Sequence, residues 1–135
     1  GRAMQLAWLS EAYLLEGRLD NALERAQQAV SLALRHQERG HEAWGLRLVG
    51  EIASRLDQPA LEKPGSYYDK ALDLAGELGM RPLVAHCHFH LGKLSQETGR
   101  GEQAQEHLTT AMTMYREMEM RFWMDLAGAT MRRLT

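Results

Sequence analysis

The sequence predicts an all-α protein, a right-handed stack of three helical hairpins closed by a C-terminal helix, and three observations carry that reading. Small residues recur in one register: Ser10, Gly50 and Gly92 stand 40 and 42 apart, and Ala29, Ala71 and Ala111 stand 42 and 40 apart. Arg39, Arg81 and Arg121 repeat the second pair of spacings. Inside each repeat the apolar residues fall at i, i+3, i+4, i+7, the stripe of an amphipathic helix. Self-similarity at a period of about forty residues marks units that cannot bury their apolar faces alone and must stack.

Each element follows from local chemistry. Leu6, Leu9, Ser10 and Tyr13 give the first helix its stripe, and Gly17 in "EGRLDNA" suits the left-handed position just past its end. Asp20 is placed to cap the second helix, whose stripe is Leu23, Ala26, Ala29 and Val30. Leu46, Val49, Gly50 and Ala53 repeat the first pattern. The next turn, "SRLDQPALEK", is longer: Ser10 to Ala22 and Gly92 to Ala104 are 12 apart, whereas Gly50 to Pro64 is 14. Proline fits only a first turn, and "SYYD" from Ser66 reads as a capping box, so this helix is expected to begin late or to kink. Gly79 ends it and Pro82 opens the next, which runs to Gly99 in "TGRGEQA". After the third hairpin, "MRFWMDLAGATMRRL" forms one more helix that closes the stack. The expectation is one domain over 1–135, with repeats at about 3–40, 41–80 and 81–119 and a capping helix at about 120–134, seven helices and no strand.

Composition narrows the function. With 44% hydrophobic and 25% charged residues and no low-complexity tract, the 135 residues read as an ordered domain able to bury a core unaided. Sixteen basic against eighteen acidic residues give a net charge of −2, which offers no pull on nucleic acid or anionic lipid. A single cysteine, no bilayer-length apolar run and no signal peptide favour a cytoplasmic setting. The start at "GRAMQL" suggests a piece of a longer chain.

A first helix with Leu9, Ser10 and Tyr13, a glycine turn, then Ala22 and Ala29 seven apart resembles the tetratricopeptide repeat, and three such units plus a capping helix cover essentially the whole chain. The departures are the period, longer than the usual ~34, His88 where the pattern expects tryptophan, and Pro64 where it expects alanine. "LAGELGMRPLVAHCHFHLGKL" and "GRGEQAQEHLTTAMTMYREMEMRFW" resemble the C-terminal tail of large bacterial signalling proteins that carry a cyclase-like domain and a signal-transduction ATPase. The resemblance implies a regulatory or protein-binding module, with ligand contacts on five positions of each first helix. Residue by residue these are Met4, Ala7, Glu11, Leu14 and Leu15; Trp44, Arg47, Glu51, Ser54 and Arg55; and His86, Phe89, Lys93, Gln96 and Glu97. Aromatic and arginine side chains are the usual anchors of interfaces, which selects Trp44, Phe89, Arg47 and Arg55. Their alternative is packing between neighbouring hairpins. The lysine and asparagine clamp with which some relatives of that family hold a terminal carboxylate is not reproduced.

"AHCHFHLGKL" raises other chemistry. His86 and His90 are i, i+4 and could begin a zinc site, but two ligands do not close one. His88 shares register with Leu6 and Leu46 and is expected in the hairpin core, with Cys87 on a different face from His86 and His90. Adjacent side chains on a helix diverge, so a cysteine–histidine nucleophile is disfavoured too. "HLGKL" lacks the upstream glycine and following hydroxyl of a phosphate loop. Binding rather than catalysis, with no cofactor and no metal, is therefore expected. A second candidate surface is "MTMYREMEMRFWM", where Met112, Met114, Met118, Met120, Phe122 and Trp123 either mediate a homodimer or simply cover the third hairpin.

Overall fold

The computed structural model describes residues 2–56, 58 and 60–134. These hold seven helices and no strand: α1 (Arg2–Leu15), α2 (Leu19–Arg35), α3 (Arg39–Ala53), α4 (Pro64–Leu78), α5 (Arg81–Glu97), α6 (Gly101–Glu117) and α7 (Arg121–Arg132). The expected all-α hairpin architecture is present. Contacts gather the chain into two compact units, Gly1–Leu78 with α1 to α4 and Gly79–Thr135 with α5 to α7.

The recurring small residues are explained by helix crossing. Ser10 is fully buried and its hydroxyl donates to the Ala22 carbonyl at 2.7 Å, fastening α1 to α2. A Cβ on Gly50 would meet the Tyr68 ring of α4 at 2.8 Å, and one on Gly92 would meet Leu108 Cγ of α6 at 2.7 Å. In each hairpin the first helix thus offers almost no side chain where the second crosses it. Ala29, Ala71 and Ala111 lie buried on the second helices at equivalent places. The arginine register has a cause as well: Arg39 bonds Glu77, and Arg81 donates to Glu117 at 2.7 Å, so the start of a first helix is tied to the end of its partner. Both pairs are exposed, and each contributes at most about 1 kcal/mol.

The turns differ from expectation in one respect. Gly17 and Gly99 have φ of 76° and 78° as predicted and Gly79 has 69°, but Gln37 and Glu119 hold the same left-handed backbone at 57° without being glycine. Four turns close with the same pair of bonds, for example Arg18 N–H to Tyr13 carbonyl at 2.9 Å with Gly17 N–H to Leu14, and Glu38 N–H to Ala33 at 2.8 Å with Gln37 N–H to Leu34. Two such bonds outweigh the steric penalty of a side chain in that conformation. Gln37→Gly and Glu119→Gly are each expected to raise stability by about 0.5–1 kcal/mol in urea titrations, since the relieved strain exceeds the entropy glycine adds to the unfolded chain.

Two capping expectations are corrected. Asp20 stands in the first turn of α2, whose cap is Arg18 with no side-chain bond. Arg18 also closes the turn after α1, so the connection over 16–18 is too short to lend a separate capping residue. Ser66 does not cap α4: its hydroxyl donates to Glu62 Oε1 at 3.0 Å, and the helix already begins at Pro64. That start is late in register, because Leu19 precedes Ala22 and Gly101 precedes Ala104 whereas α4 opens on Pro64 itself. The displaced residues form the connection over 54–63, of which Asp57 and Pro59 lie outside the described residues. Leu56, Leu61 and Tyr67 of this region pack on the core of the first unit.

In the second unit α7 follows the register of α3 and α5 but not their chemistry. Asp125 and Arg132 occupy the places of Ala43 and Gly50 in α3 and of Ala85 and Gly92 in α5. The small residues are buried, whereas Asp125 and Arg132 are exposed, so the strip that would receive a partner helix is polar. The methionine-rich segment lies against the core of this unit. Met112, Met114, Met118, Met120 and Trp123 pack onto the core of Phe89, Leu108 and Tyr115, and Phe122 alone of that set is strongly exposed, at 70%.

Candidate interaction surface

Four of the residues selected from the sequence meet in the first unit. Trp44 Nε1 donates to Glu11 Oε1 at 2.8 Å, and the Arg47 guanidinium donates to the same oxygen at 3.4 Å. Its other terminal nitrogen lies 3.0 Å from Glu51 Oε1. The guanidinium carbon sits 4.7 Å from the centre of the Trp44 ring, a cation–π stack. Helical spacing produces this set: Arg47 and Glu51 are i, i+4 on α3, Trp44 lies one turn earlier, and Glu11 reaches over from α1.

Burial divides the roles. The Arg47 side chain is only 9% exposed, its Nε is buried with no hydrogen-bond partner among the described residues, and the Glu11 side chain is 37% exposed. Arg47 therefore organises the surface from beneath it rather than standing free as an anchor. Glu11 keeps its second carboxylate oxygen for another donor, Arg55 is exposed one turn beyond Glu51, and Leu15 is almost fully exposed on α1. Leu14, by contrast, belongs to the core.

The second unit treats the equivalent positions differently. His86 and Phe89 are buried, and the Trp123 ring of α7 lies 4.6 Å from the His86 ring edge-on and 6.3 Å from Phe89. His86 Nδ1 is 2.6 Å from the Tyr115 hydroxyl, so this histidine is joined to the core. Both residues are buried beside Trp123 of α7. Lys93 remains exposed, with its ammonium 5.5 Å over the Phe89 ring.

The histidines resolve into separate environments. His90 is half-buried beside Phe89, at 5.5 Å between ring centres, and Cys87 is buried. His88 faces α6, where its Nδ1 lies 3.0 Å from Nδ1 of His107. Sequence reading missed this pair because its members are on different helices. Among the described residues no group of three or more histidine, cysteine, aspartate or glutamate side chains is arranged to hold a metal. With ring centres 5.3 Å apart the two imidazoles meet nearly head-on, the geometry of an N–H···N bond that needs one bare nitrogen. Burial, and secondarily the His107 charge, push the His88 pKa below its ordinary value of 6.5. The folded state thus binds that proton less readily than the unfolded chain, and stability present above the unfolded value is lost as pH falls through the lowered folded one. Thermal melts should show Tm flat above neutrality and declining below about pH 6.5, with the decline reduced in His88→Leu, which restores the residue of the first two repeats.

No family model matches the chain. Over 92 residues it is 28% identical to the 43 kDa receptor-associated protein of the synapse from Tetronarce californica. That alignment covers 68% of this chain and 22% of the other protein. No helix among the described residues is long and apolar enough to cross a membrane.

Proposed function

We propose that this chain is a protein-binding module of the tetratricopeptide type, and that its first unit recognises a peptide through Trp44, Glu11, Glu51 and Arg55 with Arg47 holding them in place. The observation that carries this is the Trp44–Glu11–Arg47–Glu51 network. An aromatic ring and two carboxylates fixed before a ligand arrives lose little conformational freedom on binding, the condition for affinity from a small surface. The repeat-like helical fold and a relative whose name describes it as receptor-associated support the same reading. The resemblance to the tails of bacterial signalling proteins supplies the context: a cytoplasmic regulatory segment that docks and does not catalyse. At the corresponding positions of the second unit Lys93 is exposed, while His86 and Phe89 are buried.

The ligand chemistry follows from what is left exposed. The second oxygen of Glu11 suits a lysine or arginine of the ligand, Leu15 an apolar side chain, and Arg55 an acidic one. Selection from a random peptide library against the purified chain tests this. Enriched peptides should pair a basic and an apolar residue, and should lose binding at least about tenfold to Glu11→Lys and Arg55→Glu proteins with unchanged helicity. Absence of enrichment, or peptides indifferent to both substitutions, would refute it.

A further inference from the structure

We propose that a groove on the far side of α3 from the Trp44 network binds a basic amphipathic helix of a partner protein. α2 and α4 both pack on α3 and leave between them an open groove of about 420 Å³. Leu46 of α3 is its floor, Val30 and Leu34 of α2 line one wall, and Leu74 of α4 lines the other. Leu46 stands two residues from Trp44, about 160° round the helix, so the groove and the network occupy opposite faces of α3.

The apolar exposure here is not imposed by the repeat. Outside the first and last helices, the strongly exposed large apolar side chains among the described residues are Leu34, at 56%, and Leu78, one turn beyond Leu74, at 40%. In the same register as Leu34 the second repeat has Gly76 and the third has Arg116, so the fold needs no leucine there. Val30 and Leu34 are i, i+4, and so are Leu74 and Leu78. The apolar residues therefore run along the helix axes, the arrangement that accepts the i, i+4 ridge of one more helix.

Charge identifies the occupant. Glu42, Asp73, Glu77 and Lys70 complete the lining. Arg39 engages Glu77 and Lys70 donates to Glu62, which leaves Glu42 and Asp73 with no cationic partner among the described residues. Two such carboxylates beside an apolar floor suit a ligand that sets lysine or arginine next to aliphatic side chains. The fold does not require the acid: the corresponding place in the first repeat keeps its apolar pair, Leu6 and Leu32, but has Arg2, Ser31 and Arg35 in the register of Glu42, Asp73 and Glu77.

Fluorescence anisotropy of the purified chain with two labelled synthetic helices is the test. Both probes are alanine-based, about 18 residues long so as to be helical, with leucines at i and i+4; lysines flank the leucines in one and glutamates in the other. The lysine probe should bind with a Kd on the order of 100 μM, and the glutamate probe at least about tenfold more weakly. The protein variants borrow residues that other repeats hold in the same register, so the fold tolerates them: Leu34→Arg copies Arg116, Glu42→Arg copies Arg2 and Asp73→Ser copies Ser31. Leu34→Arg, and Glu42→Arg combined with Asp73→Ser, should each weaken the lysine probe at least about tenfold at unchanged helicity. No binding at about 1 mM lysine probe, equal binding of the two probes, binding that either set of groove substitutions leaves intact, or binding lost to Glu11→Lys would overturn the proposal. A dimer in sedimentation velocity that Leu34→Arg dissolves would do so too, because a second copy would then fill the groove. Library peptides are judged on Glu11 and Arg55 and these helices on Leu34, Glu42 and Asp73, so either reading can fail without the other.

Discussion

Gly50→Ala and Gly92→Ala are each expected to destabilise the protein by about 2–3 kcal/mol, although alanine is the better helix former by about 1 kcal/mol. The added methyl has nowhere to go. At Gly50 it would lie 2.8 and 2.9 Å from two carbons of the Tyr68 ring, which is 2% exposed and cannot swing into solvent. At Gly92 it would meet Leu108 Cγ and Cδ2 at 2.7 and 2.8 Å and the Leu108 backbone nitrogen at 3.3 Å, so rotating the side chain does not clear the clash. Gly76→Ala is the internal control: the residue is exposed in α4, nothing lies within 4 Å of the new Cβ, and stability should rise by about 0.5–1 kcal/mol. One substitution in three helices thus changes sign with the crossing alone. The first hairpin shows how a larger residue is accommodated, since Ser10 is matched in register by the buried Ala26 where the other hairpins have Tyr68 and Leu108. Gly50→Ser combined with Tyr68→Ala copies that pairing and should lose less than the sum of its parts in chemical denaturation. Simple additivity would show that the two positions do not share space.

The same crossings explain why the fold could be read from sequence. A residue forced to be small by a helix crossing close to it leaves a mark at every repeat, so Ser10, Gly50 and Gly92 betray the register even where the larger residues vary. Glycines at left-handed turns leave a similar mark, but Gln37 and Glu119 do not, because two backbone bonds stabilise that conformation whatever the side chain. Asp20 and Ser66 misled for a related reason: their composition suits a cap, while the cap itself is set by how many residues the turn contains. The candidate surface was legible only in outline. Position along the helix selects Glu11, Trp44, Arg47 and Glu51, and the structure brings those together. The same positions select His86 and Phe89, which α7 covers, and no local pattern announces that a neighbouring helix will do so. Charge was the other blind spot: an arginine reads as exposed unless its carboxylate and aromatic partners, one of them 36 residues away, are known.

Arg47→Ala is expected to destabilise the first unit by about 2–4 kcal/mol and to loosen Trp44, seen as a red-shifted and quenched tryptophan emission. The guanidinium bridges one carboxylate on α1 and one on α3, Glu11 and Glu51, and Trp44 Nε1 also donates to Glu11. The lower end of the range applies because Glu11 is 37% exposed and water can replace part of what the arginine supplied. Arg47→Lys should recover only part of the loss, since a point charge cannot reach both carboxylates while lying flat on the indole. The decisive variant removes the charges along with their mediator. If the arginine is needed because Glu11 and Glu51 are there, then Arg47→Met with Glu11→Gln and Glu51→Gln should be nearer the parent in stability than Arg47→Ala, while peptide binding stays lost. Equal instability in both would mean that the aliphatic stem of Arg47 and its contact with Trp44 matter more than its charge. A stable triple variant that no longer binds would separate the network's role in holding α1 to α3 from the proposed one of presenting Glu11 to a ligand, and would place the second on the carboxylates.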